Sequence, residues 1–148
     1  MADFLALVPT EPSAISVLTE RAAAYLAESG VDQRAAHHVA LVLDELLTNV
    51  ATHGGAMEEP ASVRLVVSPD RVMGEVVDCG SRFDPRQHRD VDVSTSIEDR
   101  PVGGLGLLLL RQVTERLDYE RVGDRNRTTF WICRASAAGR QGDRDGTR

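Results

Sequence analysis

A glutamate and an asparagine one helical turn apart are the residues of this chain best suited to chemistry. Glu45 and Asn49 fall in a segment whose apolar residues recur at helical spacing, so both project from one edge of a helix. The amide oxygen of Asn49 is a suitable ligand for Mg²⁺, and the Glu45 carboxylate could accept a proton from an attacking hydroxyl or water. The alternative is a solvated helix edge, where such polar residues are common.

A second candidate site stands at the end of a strand. Asp78 closes an apolar segment that begins at Val72, and a half-buried carboxylate there needs a hydrogen-bond partner. The exocyclic amine of adenine would provide one, and Gly80 would let the base approach the backbone closely. In the alternative interpretation, Asp78 is a turn residue that caps its own loop.

A block of glycines precedes the last apolar helical segment. The backbone amides of Gly103, Gly104 and Gly106 would favour phosphate, with help from the positive end of the helix dipole. The spacing does not fit a dinucleotide-binding fingerprint, and a polar loop rather than a strand comes before it. A simple loop leading into the helix would also explain the glycines.

Composition narrows the class of protein. The 148 residues suggest one domain, and the net charge of -6 argues against binding nucleic acid through a general basic field. All 17 basic residues are arginine, which excludes a P-loop and a Schiff-base enzyme, since both need a lysine. No apolar run is long enough to span a membrane, and the N-terminus does not read as a signal peptide. Two cysteines without metal-type spacing favour a reduced, cytoplasmic setting.

Hydrophobic periodicity predicts the order strand, helix, helix, strand, strand, lid, helix, strand, strand. The second helix is predicted from about Gln33 to His53, with Asp32 as its N-cap and Gly54-Gly55 ending it. The last helix is predicted from Leu105 to Leu117, with Leu117 facing inward. A hairpin around residues 123–126 follows, and Trp131 is assigned to the sheet core. Residues 85–101 are interpreted as a loop or lid, and residues 134–148 as a disordered tail after a domain that ends at 133. The fold class is a two-layer α/β (α+β) sandwich, with a mixed, mostly antiparallel sheet covered by helices on one face.

In this order and spacing, the three motifs resemble the GHKL (Bergerat) ATP-binding fold of gyrase, the heat-shock chaperone, histidine kinases and mismatch-repair ATPases. The chain looks most like a bacterial anti-sigma-factor serine kinase of the partner-switching type, because it is small and lacks a dimerisation-phosphoacceptor helix pair. The resemblance covers roughly Phe4 to Cys133. It implies a catalytic base, a Mg²⁺ ligand, an adenine-binding aspartate with its glycine, phosphate-loop glycines and a threonine near the adenine, at Glu45, Asn49, Asp78, Gly80, Gly103, Gly104, Gly106 and Thr128.

The resemblance also implies a function. The protein would use ATP and Mg²⁺ to phosphorylate a STAS-domain anti-anti-sigma protein on serine, and would sequester a sigma factor or another effector. Relatives are commonly dimers, so a homodimer is one alternative that the sequence leaves open, and neither nucleic acid nor membrane is expected as a partner. Three residues depart from the family pattern: Val102 where some relatives carry arginine, Val50 where alanine is usual, and Arg127 where glycine is common. Val102 keeps open a nucleotide-binding switch without useful phosphotransfer. A free ATPase module ranks last, because the transducer domain of such enzymes is missing.

Overall fold

The computed structural model describes residues 2–55, 59–87 and 104–135 of the chain. The elements follow the predicted order, with one short 3-10 helix at Pro85–Gln87. The helices are α1 (Pro12–Glu28), α2 (Gln33–His53) and α3 (Gly104–Val113), and the strands are β1 (Phe4–Val8), β2 (Ala61–Val67), β3 (Arg71–Asp78), β4 (Arg116–Val122) and β5 (Arg125–Cys133).

The strands form one sheet in the order β1-β2-β3-β5-β4, and every neighbouring pair is antiparallel. Alternate residues of the sheet are buried against the helices, whereas the opposite face has no helix among the described residues. This arrangement confirms the predicted two-layer sandwich with helices on one face. The order also places the C-terminal end of β3 beside the N-terminal end of β5, below the C-terminal half of α2.

Helix α2 forms where the sequence predicts it because both of its ends carry suitable residues. The Asp32 side chain caps the N-terminus by accepting a hydrogen bond from Ala35 N at 3.1 Å. At the other end Gly54 closes the last turn, and Gly55 follows with φ +72°, a conformation that favours glycine. Between the caps, the stripe that includes Val39, Leu43 and Leu47 is fully buried, so α2 is fixed firmly over the sheet.

Phe130 on β5 fills the space that a side chain at position 74 on β3 would take. A Cβ added to Gly74 would lie 2.1 Å from the Phe130 ring, and Phe130 is fully buried. The two residues are direct partners across β3 and β5. Gly74 therefore allows the ring to lie flat against the sheet at the centre of the core.

The predicted extension of the last helix to Leu117 is wrong. Helix α3 ends at Val113, where the Thr114 hydroxyl donates to Leu110 O at 2.6 Å, and Glu115 N then donates to Trp131 O at 2.8 Å. These bonds turn the chain into β4 within two residues. Leu117 still packs against the core, but it does so from a strand opposite Phe130. Its inward position fits either element, so apolar spacing alone could not separate them.

Two further predictions at the closing hairpin are corrected. Its turn consists of Gly123 and Asp124, with φ +60° at Gly123, and residues 125 and 126 already belong to β5. Trp131 does not belong to the core, since it alternates with the buried Phe130 and Ile132 and so faces away from the helices. On that open face the Arg116 guanidinium lies 5.2 Å from the Trp131 ring centroid.

The chain remains attached to the fold just beyond β5. Arg134 donates to Ser68 O at 2.6 Å and to Gly30 O at 3.0 Å, and Ala135 N donates to Asp32 Oδ1 at 3.0 Å. Residues 136–148 of the predicted tail and residues 88–101 of the predicted lid lie outside the described residues. None of the helices in the described part of the chain is long and apolar enough to cross a lipid bilayer.

Candidate functional site

A cleft opens where the C-terminal half of α2 meets the C-terminal end of β3 and the N-terminal end of β5. It encloses about 350 Å³, counted with the solvent at its mouth, and Asn49, Asp78 and Thr128 line it. The apolar part of its wall is formed by Leu46, Val50, Val76 and Phe83. The structure thus brings together three of the polar residues that the sequence singled out, although they lie far apart along the chain.

Asp78 is almost fully buried, at 5 % exposure, and its two oxygens differ in their surroundings. Oδ1 accepts hydrogen bonds from Gly80 N at 2.9 Å and from the Asn126 side-chain Nδ2 at 3.0 Å. No donor from the described residues reaches Oδ2. Asp78 therefore caps its own loop with one oxygen, as the alternative interpretation of the sequence had it, and keeps an acceptor available in the cleft with the other.

Asn126 belongs to this site, and the sequence analysis missed it. Its side chain is buried at 3 % exposure and contacts Asp78 and the loop that follows β3. The sequence analysis placed it in a turn, where asparagine is common. Extending the buried alternation of Ile132, Phe130 and Thr128 back by one step would have found it, because residues two apart share a face of a strand.

Gly80 is required for a reason other than the predicted approach of a base. A Cβ at this position would lie 2.7 Å from Gly54 Cα and 2.9 Å from Gly54 O. Ser81 N also donates to Gly54 O at 3.0 Å. The glycine therefore lets the loop after β3 pack directly on the C-terminal end of α2, which fixes one wall of the cleft.

An aromatic stack closes the same wall. His53, the last residue of α2, lies with its ring 4.4 Å from that of Phe83, and the two planes are 7° apart. Because Phe83 lines the cleft, the stack joins the end of the helix to the loop that follows Asp78.

Glu45 lies one turn before Asn49 on α2, outside the cleft lining and against α3. A Cβ at Gly106 would lie 1.9 Å from the Glu45 carboxyl carbon, so any larger residue at this position would have to displace the carboxylate. Burial, and then the neighbouring Asp44, raise the pKa of Glu45 above its ordinary value. Glu45 Oε1 is buried and has no hydrogen-bond partner among the described residues.

The glycine block is only partly described. Gly103 lies outside the described residues, Gly104 begins α3, and Gly106 lies inside the first turn of that helix. The block therefore does open a helix, as predicted. For a metal, the described residues offer no group of three or more His, Cys, Asp or Glu side chains. Asn49 is the candidate ligand that lines the cleft.

A helix-covered antiparallel sheet, with a half-polar cleft between its longest helix and two strand ends, defines a kinase-like ATPase domain. The chain belongs to the histidine kinase-like ATPase domain family, whose family model matches residues 8–132. This match confirms the resemblance to the ATP-binding fold that histidine kinases share.

The chain is also similar to individual proteins. A solved structure of the RsbU and RsbW domains of Rv1364c from Mycobacterium tuberculosis superposes with a TM-score of 0.67 at 14 % identity and covers 92 % of this chain, which shows the shared fold. The serine/threonine-protein kinase BtrW of Bordetella bronchiseptica is 32 % identical over 92 residues, or 61 % of this chain. The chain spans 65 % of the length of BtrW and 34 % of the Rv1364c structure.

Proposed function

We propose that this protein is an ATP- and Mg²⁺-dependent protein serine kinase of the anti-sigma type. The observation that carries the proposal is the cleft, in which Asp78 keeps one acceptor oxygen without a described donor and Asn49 offers an amide. An acceptor recessed in a partly apolar cleft suits the exocyclic amine of adenine, which is a hydrogen-bond donor on a flat apolar ring. Thr128, buried in the same wall, would contact the base beside Asp78.

Asn49 would hold the metal. Its amide oxygen is a hard, neutral ligand, and phosphate oxygens and waters would complete the coordination that Mg²⁺ requires. The described residues supply no acidic cluster, so the residues present fit a metal that arrives with the nucleotide. When bound, Mg²⁺ neutralises charge that develops on the phosphates. The amides of Gly104 and Gly106 in the first turn of α3, and that of Gly103, which precedes them in the sequence, would contact the phosphates.

Glu45 would act as the general base. Its buried Oε1, which no described residue contacts through a hydrogen bond, and its raised pKa are typical of a carboxylate kept for proton transfer rather than for structure. It would accept the hydroxyl proton of the target serine as that oxygen bonds to the γ-phosphorus, while the bond from the γ-phosphorus to the β,γ-bridging oxygen breaks and ADP leaves. The similarity to BtrW, a serine/threonine-protein kinase, supports this choice of reaction.

The proposed partners follow from the resemblance rather than from the cleft. The substrate would be a STAS-domain anti-anti-sigma protein, which holds this protein until phosphorylation releases it. The released protein, as a homodimer in the cytoplasm, would then sequester a sigma factor or another effector.

A second candidate function is a nucleotide-gated switch that binds its partner without useful phosphotransfer. One observation favours it: the Glu45 carboxylate lies in contact with Gly106 of α3, so this helix covers the proposed base. Val102 adds to it, because the arginine that some relatives carry at this position is missing.

A transfer assay separates the two functions. The protein is mixed with γ-labelled ATP, Mg²⁺ and the STAS-domain protein encoded nearest to it, and stable label on serine is measured. We expect Glu45→Ala and Asn49→Ala to abolish the label, whereas Thr48→Ala, an exposed change on the same helix, keeps it. Undiminished labelling by Glu45→Ala would contradict the kinase mechanism. Tight ATP binding by the parent protein without any label would favour the switch.

A further inference from the structure

One row of side chains crosses three strands at the inner end of the cleft. Asp78 on β3 is the direct partner of Asn126 on β5, and Asn126 is the partner of Arg121 on β4. We propose that Asn126 is a positioning residue, which holds one oxygen of Asp78 and thereby reserves the other for the amino group of the base. The inference rests on the proposed function, because it assigns a specificity role within the same nucleotide site.

The orientation of the Asn126 amide is fixed by the groups around its oxygen. Oδ1 accepts a hydrogen bond from the Tyr119 hydroxyl and another from Arg121 Nη1 at 3.1 Å. A guanidinium can only donate, so the amide oxygen must face Arg121 and the Nδ2 group must face away from it. The amide cannot flip without placing two donors against each other.

The other end of the amide reaches the cleft. Nδ2 donates to Asp78 Oδ1 at 3.0 Å and to Ser81 O at 2.9 Å, so both of its hydrogens have acceptors. Arg121 Nη1 also donates to Gly80 O at 2.8 Å, which ties the same loop to β4. Asn126 is thus buried with both ends satisfied, and it connects the aspartate, the loop and the outer strand in one network.

The network leaves one oxygen of Asp78 without a donor among the described residues. Its Oδ1 already accepts from Gly80 N and Asn126 Nδ2, whereas no described residue donates to Oδ2. The carboxylate is therefore prevented from rotating, and the oxygen that remains can only accept. A purine with an amino group at position 6 matches it, and a purine with a carbonyl there does not.

The test compares two nucleotides that differ only in the group that Asp78 would bind. Dissociation constants are measured by calorimetry for ATP and for purine riboside 5′-triphosphate, which lacks the 6-amino group. Variants are Asn126→Ala, Asp78→Ala and the control Thr129→Ala, which changes the opposite face of the same strand. Thermal unfolding establishes that each variant is folded.

We expect the parent protein and Thr129→Ala to prefer ATP over the purine analogue by about tenfold, which corresponds to about 1.4 kcal/mol. Asn126→Ala should lose most of this preference by weakening ATP alone. If Asn126→Ala loses affinity equally for both nucleotides, the inference is overturned, because Asn126 would then have a purely structural role. Preference retained in Asn126→Ala would overturn it as well.

The two proposals fail in different ways. If the parent protein does not prefer ATP, or if Asp78→Ala keeps the preference, the adenine site itself is wrong. If Asp78→Ala loses the preference for ATP but Asn126→Ala keeps it, the adenine site stands and the positioning role is wrong. Should Asn126→Ala not fold, Tyr119→Phe decides. It removes one donor to Asn126 Oδ1 without touching Asp78, and should reduce the preference by about twofold or more; no reduction would overturn the role.

Discussion

Glu45 carries a local cost that the fold does not need. A buried acceptor without a partner costs about 1–3 kcal/mol, and here it belongs to a carboxylate whose charged form is also disfavoured by burial. Violations of this kind concentrate at functional sites, where stability is given up for chemistry. The residue therefore connects a stability measurement to the proposed reaction.

Replacing Glu45 with glutamine is expected to stabilise the protein near neutral pH while it reduces phosphotransfer by at least about 100-fold. A raised pKa in the folded state means that the protonated form is favoured, so this contribution to stability is present in acid and lost as pH rises through the folded-state pKa. The advantage of Glu45→Gln should thus be full above the folded-state pKa, shrink as pH falls through that pKa, and be small below the ordinary glutamate value of 4.5. Urea unfolding at several pH values measures it.

The matched control for this change is Glu28→Gln, at an exposed glutamate at the end of α1. It should leave both activity and stability almost unchanged across the same pH range. A Glu45→Gln variant that is less stable than the parent protein near neutral pH would contradict the interpretation of Glu45 as a strained carboxylate.

The same raised pKa predicts the pH profile of the reaction. A general base acts in its deprotonated form, so the phosphotransfer rate should rise with pH through a midpoint above 4.5 and then level off. Single-turnover labelling with saturating Mg²⁺-ATP measures the profile. A rate that stays flat down to the ordinary glutamate value would exclude Glu45 as the base.

At this scale the sequence was informative where residue type and spacing both mattered. Asn49 and Asp78, predicted from helical spacing and a strand end, and Thr128, predicted from the family resemblance, line one cleft in the structure. Asn126 was missed, since its role depends on the pairing of β3 with β5, which no local pattern reveals. The reason for Gly80 was also missed, because its neighbour Gly54 belongs to a different element.

Helix α3 supplies a prediction about an element. Gly106→Ala would place a methyl group 1.9 Å from the Glu45 carboxyl carbon, and the flexible glutamate would move to make room. Alanine is also favoured over glycine in a helix by about 1 kcal/mol, which offsets part of the crowding. We expect phosphotransfer to fall about tenfold or more, with stability changed by less than about 1 kcal/mol.

The measurement is the labelling rate together with the dissociation constant for ATP. The control is Gln112→Ala, at an exposed position on the same helix, and it should change neither quantity. A parallel loss of ATP affinity and rate would mean that Gly106 acts through the nucleotide rather than through Glu45.

The sheet supplies a second prediction about an element. Gly74→Ala would place a methyl group 2.1 Å from the ring of the fully buried Phe130, and this crowding should cost about 3 kcal/mol of unfolding free energy. Gly123→Ala is the control, since nothing lies within 4 Å of its added Cβ. Only its left-handed conformation is strained, at about 1 kcal/mol. Similar losses of unfolding free energy in both variants would show that the residues around Phe130 rearrange to accept the added methyl group.

The elements themselves could largely be predicted from the sequence. Helix α2 was predicted with the bounds that the structure has, because its cap, its apolar stripe and its terminal glycines all agree. The junction between α3 and β4 was not, since Leu117 is inward in either element and the decisive bond, from Glu115 N to Trp131 O, is tertiary. Trp131 was misplaced because it is large and apolar but stacks under Arg116 on the open face.

For the whole molecule, the end of β5 is joined to the beginning of α2 through Asp32. This aspartate caps α2 through Ala35 N and also accepts from Ala135 N, so one side chain connects two distant segments. Burial by itself raises the pKa of Asp32, but the N–H groups of Ala135 and Ala35, with Arg134 nearby, outweigh it and lower the pKa below 3.8.

Asp32→Ala is expected to cost about 1–2 kcal/mol of stability, and Asp32→Asn less, because asparagine is also a good cap. A depressed pKa stabilises the folded state above the unfolded-state value and loses that effect as pH falls through the folded-state pKa. The difference in unfolding free energy between the parent protein and Asp32→Asn should therefore reach its largest value above pH 3.8 and decrease in stronger acid. A difference that persists unchanged in acid would assign it to shape rather than charge.

The pairing of β3 with β5 has a consequence for how freely the chain can vary in length. Strands β3 and β5, which pair at the centre of the sheet, are connected by residues 79–124. The conformational entropy lost in closing this connection is therefore already included in the free energy of unfolding. Such a cost grows only with the logarithm of length, by about 0.6 kcal/mol for each doubling. A connection of twice this length would therefore cost only about 0.6 kcal/mol more, and the pairing of β3 with β5 would persist.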